Sequence, residues 1–428
     1  MATVSRGLPE QPHIDVPKRE ARELLARWRA ADPEALERIR QQIPRYRAAN
    51  DPALASAPIK LADAQFVIAR EYGFANWAQL KLKIASTALT HQLRLAIHAG
   101  ERAAVVRMLR VHPELLHLPV WSGNWGPPMS HAANLGRLDL VQTLATLGAR
   151  DFQHAFDRAL LQGRIETARW LHAHGAKLVP GLVMGCCETL NVAGLGLLVE
   201  LGAPFTDARG DRLAPLALAL ETYARNPTGK HAVLAIFADQ GYDLPDTPMM
   251  AFHRGQVDRL REFLQREPTL VHRRFAAKEI YPAALGCAPD GRSGMCGTPI
   301  AGGTLLHLAI DFDERAIFEL LLEHGADVNA RASVDAEGFG GHSPLFNAVV
   351  GSVFSGHGRR DGSMVRELLA RGASTTLRAN VRKFLDWQET PRWHIAREVT
   401  PSQWARTFPH QDWVNVDALR LIEEAGAG

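Results

Sequence analysis

Disulfide bonds are the first thing this chain lacks the means to use: 4 cysteines among 428 residues are too few to staple a fold of this length. Long apolar runs are missing too. No stretch approaches the roughly 18 consecutive apolar residues that a membrane helix needs. The opening Met-Ala-Thr-Val-Ser-Arg-Gly-Leu-Pro-Glu has no apolar core of signal-peptide type. Neither sign of charge dominates: 49 Lys and Arg against 46 Asp and Glu leave +3, without the basic surplus that phosphate backbones demand. Gly-x-Gly-x-x-Gly, the phosphate loop ending Gly-Lys-Ser/Thr, Gly-x-Ser-x-Gly and His-Glu-x-x-His are all absent. No cofactor is therefore expected, and catalysis has no established motif to rest on. The expectation is a cytoplasmic chain with neither a nucleic-acid nor a membrane partner.

What is present is an ordinary 46% hydrophobic content and one highly patterned stretch, Gly303–Ala330. It reads Gly-Thr-Leu-Leu-His-Leu-Ala-Ile, then Asp-Glu-Arg-Ala-Ile-Phe-Glu-Leu-Leu-Leu-Glu-His-Gly-Ala-Asp-Val-Asn-Ala. This resembles an ankyrin repeat, whose pattern is Thr-Pro-Leu-His-x-Ala-Ala, a second helix, then Gly-Ala-Asp-Val-Asn-Ala; Leu305 replaces the Pro. Used as a ruler, the stretch finds weaker relatives, such as Ala132-Ala133 with Gly136 and Gly148-Ala149, or His342-Ser-Pro-Leu-Phe-Asn-Ala with Gly372-Ala373. About eight units cover residues 91–376, with insertions at 223–230, 276–302, 333–342 and 351–362. The resemblance implies an all-α solenoid of helix pairs, each burying its face against its neighbours, with a concave groove and projecting finger loops. It also implies a binding protein that recognises a protein or peptide partner.

The flanks read differently. Residues 1–16 are polar and Pro-rich, a flexible arm. Residues 17–90 read as an N-terminal helical cap. Ala21, Leu24, Leu25 and Trp28 form one apolar stripe at helical spacing, and Asp32-Pro33 is a helix start. The segment Lys60–Leu80 resembles an element that precedes the repeats in many bacterial ankyrin proteins. Residues 377–428, with Trp387, Trp393, Trp404 and Trp413, read as a Trp-rich C-terminal cap. Its phrase Val399-Thr-Pro-Ser-Gln-Trp resembles the end of the same proteins.

Candidate site residues come from the variable position of the signature, which faces the groove. Most are apolar or small, but His131, Arg158 and Asn347 are polar. Ser130 and Asp157 stand one position earlier, and Trp121 and Trp125 lie on the preceding finger. A catalytic version uses His131 as base, Asp157 as its neighbouring acid and Arg158 as an anion clamp. The bland version leaves them as ordinary helix residues. Cys287 and Cys296 are weak metal candidates, since a site needs more ligands than two thiols. Two functions follow: a partner-binding solenoid, or an enzyme or small-molecule binder with its pocket in the groove and the long finger 276–302 as a lid. That finger, rich in Pro and Gly but also aromatic, is expected to be ordered.

Overall fold

The computed structural model describes residues 6–9, 12–121, 123–288, 296–351, 361–385 and 391–427. The chain divides into two compact units: Met1–Arg158 with Ala173–Gly175, and Ala159–His172 with Ala176–Gly428. No helix among the described residues is long and apolar enough to cross a membrane.

In the first unit, helix Asp15–Arg29 places Ala21, Leu24 and Leu25 against Ala64, Val67 and Ile68 of helix Leu61–Glu71. Trp28, the last member of the stripe, also donates Nε1–H to the Leu54 carbonyl at 3.0 Å. Asp32 caps helix Pro33–Gln42 by accepting from Ala35 N. Residues expected to be a loose arm are partly held, because Arg6 donates its backbone N–H to Glu71 O and its guanidinium to the Glu71 carboxylate. Helix Trp77–Ala99 runs unbroken through position 90, where the sequence suggested a boundary between cap and repeats. Nothing in that stretch stops a helix: Thr87 and Thr90 turn their hydroxyls back onto the carbonyls of Lys83 and Thr87. The next pair, Pro128–Leu135 and Leu138–Thr146, reverses at Gly136, whose φ of 73° suits glycine. Fully buried Ala132 and Ala133 let its two helices approach closely.

The second unit repeats the same construction. Its pairs are Leu182–Thr189 with Val192–Glu200, Leu213–Glu221 with Pro227–Asp239, Pro248–His253 with Val257–Arg266, Leu305–Asp311 with Arg315–Glu323, and Pro344–Val349 with Ser363–Ala370. Signature residue His307 is fully buried. Its Nδ1 accepts from Thr304 N at 3.1 Å, and its Nε2 bonds the His342 carbonyl of the following segment at 3.2 Å. Burial pushes its pKa down to about 3, so the ring is a neutral strut between consecutive pairs.

The all-α expectation needs one correction. Residues 379–399 form an antiparallel hairpin, β1 (Ala379–Leu385) and β2 (Arg392–Val399). Burial alternates along β1, with Ala379, Val381, Lys383 and Leu385 turned inward, the period-2 pattern of a half-buried strand. A lysine at one inward position disguises that alternation in the sequence. The C-terminal Trp residues split accordingly. Trp404 and Trp413 are buried, Trp393 on β2 is 47% exposed, and Trp387 lies outside the described residues.

The described parts of the finger 276–302 are ordered. Its stems are pinned by Phe275 N to Gly303 O (2.9 Å) and Gly302 N to Phe275 O (2.7 Å), and a short helix, Ala277–Ile280, follows the first stem. The insertion 333–342 folds back on itself and bridges β1 through Gly340 and Asn380. Of the insertion 351–362, only residues 351, 361 and 362 lie within the described stretches.

Gly340 has φ 120°, and a Cβ there would sit 2.0 Å from the Ser333 carbonyl, whereas a Cβ on Gly338 (φ 82°) meets nothing within 4 Å. Gly338→Ala should therefore cost only the left-handed penalty of about 1–2 kcal/mol. Gly340→Ala should lower Tm further and raise hydrogen exchange across 333–342. Equal losses from the two variants would mean that the Ser333 contact sets no constraint.

Candidate functional site

The first unit does bring several of the sequence's candidates together. His131 is fully buried between His98 and Trp125, with ring centroids 4.9 Å away in each case. Trp121 lies 5.2 Å from Trp125 and carries the Arg94 guanidinium 4.3 Å above its ring. Arg158 is buried, donates Nε–H to Asn134 Oδ1 at 2.9 Å and stands 5.8 Å from the Trp125 ring centroid. Ser130 is held by Asp151, which accepts from its backbone N–H at 3.0 Å.

The catalytic version of this cluster does not assemble. Asp157 is on the exposed face and accepts from Gln153; the acid inside the cluster is Asp151, committed to Ser130. Neither ring nitrogen of His131 has a hydrogen-bond partner among the described residues. Burial, then the charges of His98, Arg94 and Arg158, push its pKa down to about 4. His131 is thus a neutral ring in an aromatic shell, with no acid to orient it as a base.

The second unit holds a different site, and the finger builds it. Beneath the finger, Lys230 is buried, donates Nζ–H to Leu220 O at 3.2 Å and reaches His253 Nδ1 at 2.9 Å. His253 Nε2 in turn bonds the finger carbonyl of Ile280 at 2.8 Å, so its Nδ1 is the acceptor for Lys230. Burial and the Lys230 charge hold His253 well below the usual histidine range. Lys230 itself is pushed down to about 7, by burial first and then by the Arg225 charge. Arg225 and Asp311 form a fully buried ion pair at 2.8 Å alongside.

Further along the finger, the Pro299 carbonyl accepts from His342 Nε2 (2.9 Å) and Asn347 Nδ2 (3.3 Å). Asn347, a groove residue in the sequence reading, is fully buried and serves as a finger anchor. Thr298 donates its hydroxyl to Phe346 O at 2.8 Å and accepts from Trp404 Nε1 at 2.9 Å, tying the finger to the C-terminal segment.

These anchors leave a cavity of about 590 Å³ between the finger, the 333–342 insertion and the hairpin. Its apolar walls include Phe275, Ile300, Phe339, Phe384 and Trp393. Arg382, on β1, is tied to Asp335 at 2.9 Å and spreads its guanidinium over Phe339 (4.6 Å) and Trp393 (5.1 Å). Tyr281, Cys296, His342 and Lys383 also line it. Lys383 Nζ lies 4.0 Å from Cys296 Sγ. Cys287 and Cys296 are separate buried free thiols, and among the described residues no group of three or more His, Cys, Asp or Glu is placed to hold a metal. Burial pushes the Cys287 thiol up to about 12.

Composition and motif spacing pointed to the finger but not to its partners. Phe339, Lys383 and Trp393 converge from insertions and strands that follow no repeat. The signal available beforehand was the excess length at 276–302 and 333–342.

Comparisons with known proteins agree with the repeat pattern at one place. Residues 301–333 match the family model described as ankyrin repeat. Among solved structures, the human ASB11 ankyrin repeat domain is similar at 20% identity, covering 58% of this chain and 98% of that one, with a TM-score of 0.28. No curated protein matches the chain.

Lys230 generates a pH prediction. Below pH 7 it is charged in both states. Between about 7 and its ordinary 10.5 the unfolded chain holds one more proton than the folded one, so stability rises with pH. Across pH 7–8.5 the wild type should gain, relative to Lys230→Met, at a slope approaching about 1.4 kcal/mol per pH unit. Denaturant melts of both proteins at several pH values measure this; parallel curves would mean that Lys230 keeps its charge.

Proposed function

We propose that this chain is a binding protein of ankyrin-repeat type whose ligand site is the cavity between the finger, the 333–342 insertion and the hairpin, and that its ligand is a small molecule. The observation that carries this is the cavity's construction. Its walls come from the segments that depart from the repeat pattern, the finger among them is held by buried hydrogen bonds, and a solenoid that only displayed a groove would need none of them. A volume of about 590 Å³ suits a drug-sized molecule, and aromatic walls with a few placed polar groups are the usual make-up of such sites. The finger thus serves as a wall of its own pocket. Catalysis is not part of the proposal, although Lys383 Nζ stands 4.0 Å from Cys296 Sγ at the cavity.

A second reading, a protein partner, is favoured by one feature. Trp393 and Ile395 stand on the same face of β2 and are 47% and 52% exposed, a small apolar patch whose Trp393 also lines the cavity. A partner segment could lay an apolar side chain there.

The two readings separate by experiment. The fluorescent probe 8-anilinonaphthalene-1-sulfonate should bind the wild type saturably at one site. It should bind at least tenfold more weakly to Ala301→Trp, which adds bulk at an exposed position of the cavity wall. Unchanged affinity in that variant would remove the cavity as the site. Ile395→Glu should leave probe binding intact, and a pull-down partner lost in Ile395→Glu alone would favour the second reading.

A further inference from the structure

The first unit carries a cavity of its own, of about 540 Å³, and its polar lining runs along one helix. Lys83, Ser86, Thr87, Thr90, His91 and Arg94 all line it. They stand at i, i+3, i+4, i+7, i+8 and i+11 on helix Trp77–Ala99, which is the spacing of a single helical face. A polar helical face ordinarily meets open water. This one is walled by two other segments, one contributing Leu8 and Pro12 and the other Leu118 and Trp121. Both walls are held. Leu8 packs on the core residues Ala69, Leu80 and Ile84, and Val120, between Leu118 and Trp121, donates its backbone N–H to Gly126 O at 3.3 Å.

The stripe donates at its ends and accepts in its middle. At one end Lys83 is exposed and its ammonium is purely a donor. At the other end Arg94 lays its guanidinium 4.3 Å above the Trp121 ring, and its Nη2 lies 3.1 Å from His91 Nδ1. A guanidinium cannot accept, so His91 Nδ1 is the acceptor there and the ring proton sits on Nε2, a further donor. Between these ends, Ser86 and Thr87 give their hydroxyl protons to Lys83 O at 3.1 and 2.9 Å, and Thr90 gives its proton to Thr87 O at 2.9 Å. Those three oxygens therefore have lone pairs to offer and no proton. Among the described residues, the lining contains no Asp or Glu.

This pattern separates the ligand classes. A helix rises about 1.5 Å per residue, so Lys83 and Arg94 are about 16 Å apart along the axis, and one carboxylate or phosphate cannot reach both. A neutral apolar molecule gains nothing from either cation. A nucleic-acid strand carries phosphates along its whole length and would set some of them against hydroxyl oxygens that have no proton to give. An extended peptide rises about 3.3 Å per residue, so roughly five residues span the stripe. Its backbone N–H groups suit the central hydroxyl oxygens, and acidic side chains towards its two ends suit Lys83 and Arg94. We infer that this cavity binds an extended acidic peptide of about five residues, with Glu or Asp towards each end and a small or apolar centre resting on Leu118 and Trp121. The site lies in the other compact unit from the small-molecule cavity and does not rest on that reading.

Capped peptides test this by calorimetric titration at low salt. The probes are acetyl-Glu-Val-Thr-Val-Glu-amide, a single-acid form ending in Gln, and a neutral form with Gln at both ends. Two partly exposed ion pairs should make the double-acid peptide bind the wild type about tenfold tighter than the neutral one, with the single-acid form between them. Lys83→Gln should bring the double-acid peptide down to the affinity of the single-acid form. Lys81→Gln removes the same charge from an exposed position of the same helix outside the cavity and should leave all three affinities unchanged. Lys83 is itself exposed, so Lys83→Gln should keep the wild-type Tm, which a circular-dichroism melt checks. Equal losses in Lys83→Gln and Lys81→Gln would overturn the inference and leave only a general effect of net charge. Single- and double-acid peptides binding the wild type equally would also overturn it. Inorganic phosphate displacing the double-acid peptide at equal concentration would overturn it in favour of a small anion, and binding of none of the three peptides would overturn it outright.

Discussion

The carbonyl of Pro299 is the atom on which the site depends. It receives hydrogen bonds from His342 and Asn347, two residues on and just before helix Pro344–Val349. A long connection pressed into a helical array must satisfy its backbone polar groups there, since water no longer does so. The chain answers this at three points along the finger: Ile280 O takes His253, Pro299 O takes His342 and Asn347, and Thr298 is bonded on both sides. With those bonds made, the finger becomes a wall rather than a loose loop, and the space behind it becomes a cavity.

Charge buried under the finger works to the same end. Arg225 and Asp311 have no exposed side-chain surface, and a pair of that kind adds little net stability over apolar residues of the same shape. Its loss is nonetheless expensive, at about 3–5 kcal/mol for removing one partner. What such a pair specifies is arrangement. Arg225 also donates to Thr222 O, and Asn226 next to it caps helix Pro227–Asp239, so the short insertion 223–230 has one place to sit against Asp311. Lys230, with His253 and Phe312 as neighbours at 2.9 Å and 4.1 Å, is a lysine kept where charge is costly, and its depressed pKa follows from that position.

Much of the helical framework was legible beforehand because its signals are local. The stripe of Ala21, Leu24 and Leu25, the Asp32-Pro33 start and the glycine at 136 each act within a few residues of themselves. The strut formed by His307 follows from the same signature. The hairpin was not legible, since an inward Lys383 breaks the alternation that would have announced it. The catalytic arrangement at His131 was drawn from adjacency in a repeat register, and adjacency does not ensure facing. Asp157 is exposed while Asp151, unremarked in the sequence, holds Ser130.

The sequence by itself therefore determined local features such as the Asp32-Pro33 helix start and the turn at Gly136, because periodicity, caps and glycine conformation are short-range properties. Only the tertiary structure decided that the insertion at 276–302 closes against the hairpin and that Asn347 anchors it. It also decided that Tyr281 and His342 line one cavity. Those are contacts between residues separated by tens of positions. They depend on which buried polar atoms find partners when the whole unit packs, and that condition has no local signature.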